Sequence, residues 1–206
     1  MSANVTPLSL NSSLAPEDQA RAGYYALLAR LYYAGPDAAL LAAIAGADEF
    51  AGEEPSVLGS AWRALAAAGR AMDAEAAALE YDEVFVGTGK AEVTPYATFY
   101  LAETGREKIL VRLKDEIAAM GLAKADSARE PEDHIAGLFE VMRHLIMQGS
   151  DDAALQQKVF FGCYIAPFFS RFCDATSASD RTNFYKHAGN FTRAFLKVEM
   201  ESLEVF

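Results

Sequence analysis

Apolar side chains recur at helical spacing along most of the chain, and nowhere do they alternate with the period of two that a half-buried strand requires. That single property excludes sheets and fixes the class as all-α. Tyr24, Leu27, Leu28, Leu31 and Tyr32 form one stripe behind Pro16-Glu17-Asp18, whose acids suit a first helical turn. Gly35-Pro36 ends that helix, and Pro36 starts an Ala-rich one running to Phe50. After a break at Glu53-Glu54-Pro55, Ser56 can cap a helix carrying Val57, Leu58, Trp62 and Leu65. Asp73 can cap the next, with Leu79, Val84 and Phe85, which stops at Gly87-Thr88-Gly89.

Residues 88–98 have no helical period and hold Pro95, so an irregular loop is expected there. Helix resumes near Phe99 with a stripe of Leu110, Leu113, Ile117 and Met120, ending at Gly121. Pro131 then opens a helix carrying Ile135, Leu138, Met142 and Leu145, and Asp151 or Asp152 caps another. Phe160, Phe161, Tyr164, Ile165, Phe168, Phe169 and Phe172 make that one apolar nearly all round, hence central, with a kink at Pro167. Ser179-Asp180 starts the last helix. The expectation is one globular helical domain of roughly eight to ten helices. Its parts are a flexible terminus at 1–15, a helical part at 16–122 with a groove loop at 88–98, a linker at 123–130, and a second helical part at 131–206.

At 206 residues the chain can bury a core without metal or disulfide staples. A net charge of −11 opposes nucleic acid, which is bound by neutralising its phosphates. No apolar run approaches the roughly 20 residues of a membrane span. The polar N-terminus lacks a secretory pattern, so a cytoplasmic protein is expected. Cys163 and Cys173, if on one helix, lie too far apart to pair, and read as two reduced thiols.

Two stretches stand out chemically. Glu130-Pro131-Glu132-Asp133-His134 places four ionisable groups at a helix start, and Tyr81, Phe85, Tyr96, Phe99 and Tyr100 form an aromatic series interrupted by the loop. Asp133 and His134 as helical neighbours diverge by about 100° and do not naturally bond each other. A capped helix with a boundary histidine and an acid/base pair are both open readings. The aromatics read either as core or as a peptide-binding groove beside Pro95. Gly87-Thr88-Gly89-Lys90 falls short of a phosphate loop, with Val84 and Ala91 where glycine and Ser or Thr are required. His134, His144 and His187 do not have metal-ligand spacing, so neither a metal nor another cofactor is expected.

Three stretches in series resemble the TorD/DmsD/NarJ superfamily of redox enzyme maturation chaperones: Glu80-Tyr81 with Phe85-Val86-Gly87, then Pro95 to Tyr100, then Glu130 to His134 followed by Leu138, Met142 and Leu145. Thr94, Tyr96, Thr98 and Phe168 depart from residues common in that family while keeping bulk or hydroxyl. The resemblance implies a non-enzymatic cytoplasmic chaperone. It would bind the twin-arginine signal peptide, the body, or both, of a molybdopterin oxidoreductase catalytic subunit until its cofactor is inserted. By the same resemblance Asp133 and His134 are the signal-binding pair, Tyr81, Phe85, Pro95, Tyr96, Thr98 and Tyr100 line the groove, and Glu130, Glu132 and Glu80 add an acidic rim. The sequence does not fix the oligomeric state, and the linker between the helical parts permits domain swapping, so a monomer and a domain-swapped dimer both stay open. The competing reading is a small helical enzyme using His134 and nearby carboxylates as acid and base.

Overall fold

Three of the sequence's helix-start signals act as expected. The Ser56 hydroxyl accepts from Gly59 N–H at 2.9 Å, the Asp73 carboxylate accepts from Ala76 N–H at 2.8 Å, and Pro16 opens the first helix. A computed structural model describes residues 14–47, 56–125 and 129–204, which form one all-α domain. Its helices are α1 (Pro16–Tyr33), α2 (Ala38–Gly46), α3 (Val57–Ala71), α4 (Ala74–Tyr81), α5 (Ala97–Leu101) and α6 (Arg106–Ala119). They continue with α7 (Ile135–Gln148), α8 (Asp151–Tyr164), α9 (Phe169–Ala178) and α10 (Phe184–Glu204). A π-helical turn at Asp82–Val86 extends α4. The expected terminus at 1–13, the Glu53-Glu54-Pro55 break and residues 126–128 of the linker lie outside the described residues.

The core joins helices distant in sequence. α1 packs on α7, while α10 packs on α3, α9 and α8. Tyr32 is the hub: fully buried, its ring lies 5.7 Å from Phe85, 6.3 Å from Phe139 and 5.2 Å from Phe172. Its hydroxyl shares a 2.9 Å hydrogen bond with Thr192 on α10, so the buried polar atom is satisfied. Each fully buried aromatic here contributes about 1.5–3 kcal/mol by leaving water. Phe160, Phe161, Tyr164, Ile165, Phe168, Phe169 and Phe172 are all buried, as their all-round apolar run requires. No helix among the described residues is long and apolar enough to cross a membrane.

Several boundaries differ from the sequence expectation, each for a local reason. Pro167 breaks the chain into α8 and α9 rather than kinking one helix, because Pro has no N–H to continue the ladder. The two cysteines therefore sit on different helices, both free, with Cys163 exposed and Cys173 buried. Ser150, not Asp151 or Asp152, caps α8 by accepting from Ala153 N–H at 3.2 Å. Gly105, at φ 71°, separates α5 from α6 where one helix was expected. Leu79 stays exposed on α4.

The largest shift is at α10, which starts at Phe184 rather than Ser179. Its first amides are met from far away: Glu80, 8% exposed, accepts from Phe184 N–H at 3.1 Å and Tyr185 N–H at 2.6 Å. A carboxylate at a helix N-terminus satisfies orphan donors and suits the dipole. Glu80 is thus a structural cap delivered by α4, and it is not part of an acidic rim. Glu80→Ala is expected to cost about 2–3 kcal/mol, since the helix loses its cap and buried donors lose their acceptor. Urea unfolding of the variant measures it, and a loss under 0.5 kcal/mol would refute the capping role.

Candidate functional site

Residues Glu130 to His134 do not begin a helix at Pro131. They form a turn, and α7 begins at Ile135 with His134 as its cap. The reason is a backbone rung to the loop before α5. Ala97 N–H donates to Asp133 O at 2.8 Å and Ile135 N–H donates to Pro95 O at 2.9 Å, an isolated antiparallel bridge between Tyr96 and His134. Those bonds draw Asp133 inward. It is 3% exposed, and its Oδ2 accepts from the Thr98 hydroxyl at 2.5 Å and from Thr98 N–H at 3.4 Å. Asp133 therefore faces inward, with its carboxylate committed to Thr98.

His134 is 2% exposed, not at the edge of the stripe. Its Nδ1 accepts from Ala136 N–H at 3.2 Å, so the neutral ring carries its proton on Nε2. Burial pushes the imidazole below its ordinary pKa, against the pull of Glu130 and Asp133. The Asp133 carboxylate turns to Thr98 instead of this ring, so the two do not form an acid/base pair. Two aromatic rings meet the imidazole in T-shaped contacts, Tyr96 at 5.4 Å and Tyr33 at 6.4 Å between centroids. The Tyr96 hydroxyl donates to Glu130 Oε2 at 2.6 Å. Burial, and then that carboxylate, hold the phenol well above its usual pKa.

Beside this cluster runs a groove of about 690 Å³ between α1 and α7, walled by the end of α6 and residues 122–125. Its apolar surface comes from Ala29, Ile117, Leu122, Pro131, Val141 and Met147. Glu130, Glu132, Glu140, Arg30, Lys124 and Arg143 supply charge. From His134 to Met147 the floor follows α7 for roughly 20 Å at 1.5 Å per residue. A volume of this size is ordinary for a ligand site.

Of the residues singled out in the sequence, Glu130, Glu132 and His134 line this groove, and Tyr96 reaches its edge through Glu130. Asp133, Thr98 and Pro95 sit immediately behind it. Tyr81 and Phe85 belong to the core: Tyr81, 9% exposed, donates to the carbonyls of Tyr32 and Tyr33 at 3.1 and 3.0 Å, anchoring the end of α1. Burial and the nearby Glu130 charge push its hydroxyl up to about 12. Tyr100 turns elsewhere, stacking on Phe168 at 5.8 Å and donating to Thr94 O at 3.0 Å. The groove residue the sequence reading missed is Tyr33, 45% exposed and on the lining. Its signal was an aromatic just off the α1 stripe, next to the Gly35-Pro36 stop.

With this geometry in view, comparison with known proteins decides the family. Residues 52–174 match the family described as nitrate reductase delta subunit, more than half of the chain. The chain belongs to this family. The match bears out the resemblance to the TorD/DmsD/NarJ superfamily. Among similar proteins are those named chaperone protein TorD from Vibrio parahaemolyticus, 24% identical over 132 residues, and Photobacterium profundum, 26% identical over 132. Each alignment spans 59% of this chain and 61% of the relative. A third, from Actinobacillus succinogenes, is 28% identical over 109 residues, 52% of this chain and 55% of the relative. This delta-subunit-family chain thus matches about three-fifths of the length of the first two relatives. Residues 52–174, which match the family, contain the π-turn, the Tyr96–His134 rung and most of the groove.

Proposed function

We propose that the protein is a cytoplasmic chaperone for a molybdopterin oxidoreductase catalytic subunit. It holds that subunit through its twin-arginine leader, its body, or both, until the cofactor is inserted and export can proceed. The observation that carries this reading is the groove along α7. It offers an apolar floor of peptide length with Glu130 and Glu132 before the start of α7, and Glu140 further along beside Arg143, in a protein of net charge −11. A leader that places basic residues before an apolar run is complementary in both respects: guanidinium groups donate charge-assisted hydrogen bonds to carboxylates, and the apolar run leaves water against Ile117, Leu122 and Val141. The chaperone names of the relatives point the same way.

The acid/base reading of His134 is weaker on geometry. Nδ1 is used as a helix cap and Asp133 serves Thr98. A general base needs a free nitrogen within reach of its proton.

Fluorescence anisotropy with a labelled peptide carrying paired Arg and then apolar residues tests the proposal. Binding is expected to weaken as salt rises. Replacing both Arg by Ala should reduce affinity about tenfold or more, the scale of a hydrogen bond to a charged group. Failure to bind either the leader or the body of any molybdoenzyme catalytic subunit encoded in the same genome would sink it.

A further inference from the structure

We infer that the carboxylate reading the cationic end of a bound peptide is Glu130, with the Tyr33 ring beside it, and that Asp133 influences binding only by holding Thr98. The inference rests on the peptide-binding reading above and assigns its contacts.

Asp133 does not line the groove. To meet a guanidinium it would have to release the 2.5 Å bond from the Thr98 hydroxyl and disturb the rung through its own carbonyl and Ala97 N–H. Glu130, half-buried, does line it. Two other carboxylates on the lining already have their charge matched: Glu132 Oε2, which is buried and accepts no hydrogen bond from any described residue, lies 3.3 Å from Lys114 Nζ, and Glu140 pairs with Arg143 at 3.0 Å. Among the described residues, the hydrogen-bond partner of Glu130 is a neutral phenol, Tyr96 at Oε2. A carboxylate accepts up to about four hydrogen bonds, so capacity remains for a two-pronged guanidinium.

Tyr33 adds what a carboxylate alone lacks. It stands on the same lining, 45% exposed, with its ring set against His134 and its main chain pinned by the Tyr81 hydroxyl. A planar guanidinium stacks on such a face, whereas an ammonium gains only a point-charge attraction. The site therefore favours Arg over Lys. Asp133 contributes at one remove: through Thr98 and the rung it fixes Pro95 and Tyr96, and so the orientation of the phenol on Glu130.

The test uses the full chain, a labelled peptide with paired Arg followed by apolar residues, and a series of KCl concentrations. Glu130→Gln, which keeps an acceptor for Tyr96, should weaken binding about tenfold at low salt and flatten the dependence of log Kd on log salt. Tyr33→Ala should reduce the preference for Arg over Lys peptides, and Tyr33→Phe should retain it. Asp133→Asn, which keeps an acceptor for Thr98, should leave the salt dependence at its wild-type slope. In Asp133→Ala, hydrogen exchange without peptide should show lost protection at Ala97 and Ile135. A flattened slope in Asp133→Asn with an unchanged one in Glu130→Gln would overturn the assignment while leaving peptide binding intact. A wild-type protein that binds no Arg-bearing leader would remove the underlying reading, and the assignment with it.

Discussion

Glu199→Ala is expected to destabilise the protein by about 3 kcal/mol, the low end of the 3–5 kcal/mol for breaking one side of a buried ion pair. Glu199 is 1% exposed and receives Arg21 in a two-pronged contact, Nε to Oε1 at 2.7 Å and an NH2 to Oε2 at 2.9 Å. The Tyr25 hydroxyl donates to the same Oε2 at 3.0 Å. Removing the carboxylate orphans a buried phenol and half-strands a guanidinium. The low end applies because Arg21 keeps Asp18 at 2.8 Å and Gln157 at 2.9 Å, and 21% of its side chain still meets solvent. Glu199→Gln should cost less, since an amide oxygen still accepts. Chemical unfolding of both variants, with Arg21→Met alone and in combination, separates the pair's coupling from the cost of an unpaired charge. A Glu199→Ala protein as stable as wild type would show the network to be dispensable.

Gly87→Ala should cost about 3–5 kcal/mol and weaken peptide binding as well. Gly87 closes the π-turn at φ 64°, ψ 166°, a conformation open almost only to glycine, worth about 1–3 kcal/mol of strain in another residue. An added Cβ would also lie 2.3 Å from the Lys90 carbonyl oxygen and 2.8 Å from its carbon, contacts with backbone that no rotamer change relieves. Overpacking of that kind adds about 1–3 kcal/mol. Because Val93 N–H donates to Val84 O at 2.9 Å just across the turn, the displacement enters the loop that carries Pro95, Tyr96 and Thr98. Thermal melts and peptide titration measured together check both parts. Gly89→Ala is the control, since a Cβ there meets nothing within 4 Å despite φ 97°; it should show strain without the clash.

How much of this could be read in advance depended on range. Helix starts capped from within, at Ser56 and Asp73, are local chemistry and were legible. Starts capped from elsewhere were not: α10 waits for Glu80, which lies 104 residues before Phe184. Asp133 illustrates the same limit at the site. Periodicity assigns residues to a face of a helix once the helix is granted, but the turn before α7 is shaped by main-chain bonds to residues 95–97. The three motifs were legible as a series, and two of them do meet at the Tyr96–His134 rung. Their division of labour was not, because core tyrosines and groove tyrosines have the same composition. Tyr81 and Tyr33 differ only in what lies over their rings.

The Arg21–Glu199 contact also sets an order of events in time. Its partners are 178 residues apart in the chain. At a synthesis rate of roughly 5–20 residues per second, a ribosome places Arg21 about 10–35 s before it places Glu199. During that interval α1 has no carboxylate from α10 to receive its guanidinium, and Tyr32 has no Thr192 for its hydroxyl. Helices α1 to α9 can form early, but the seam that binds the first to the last closes late. A nascent chain of this protein thus carries α3 and α9 for a time without the helix that packs on both.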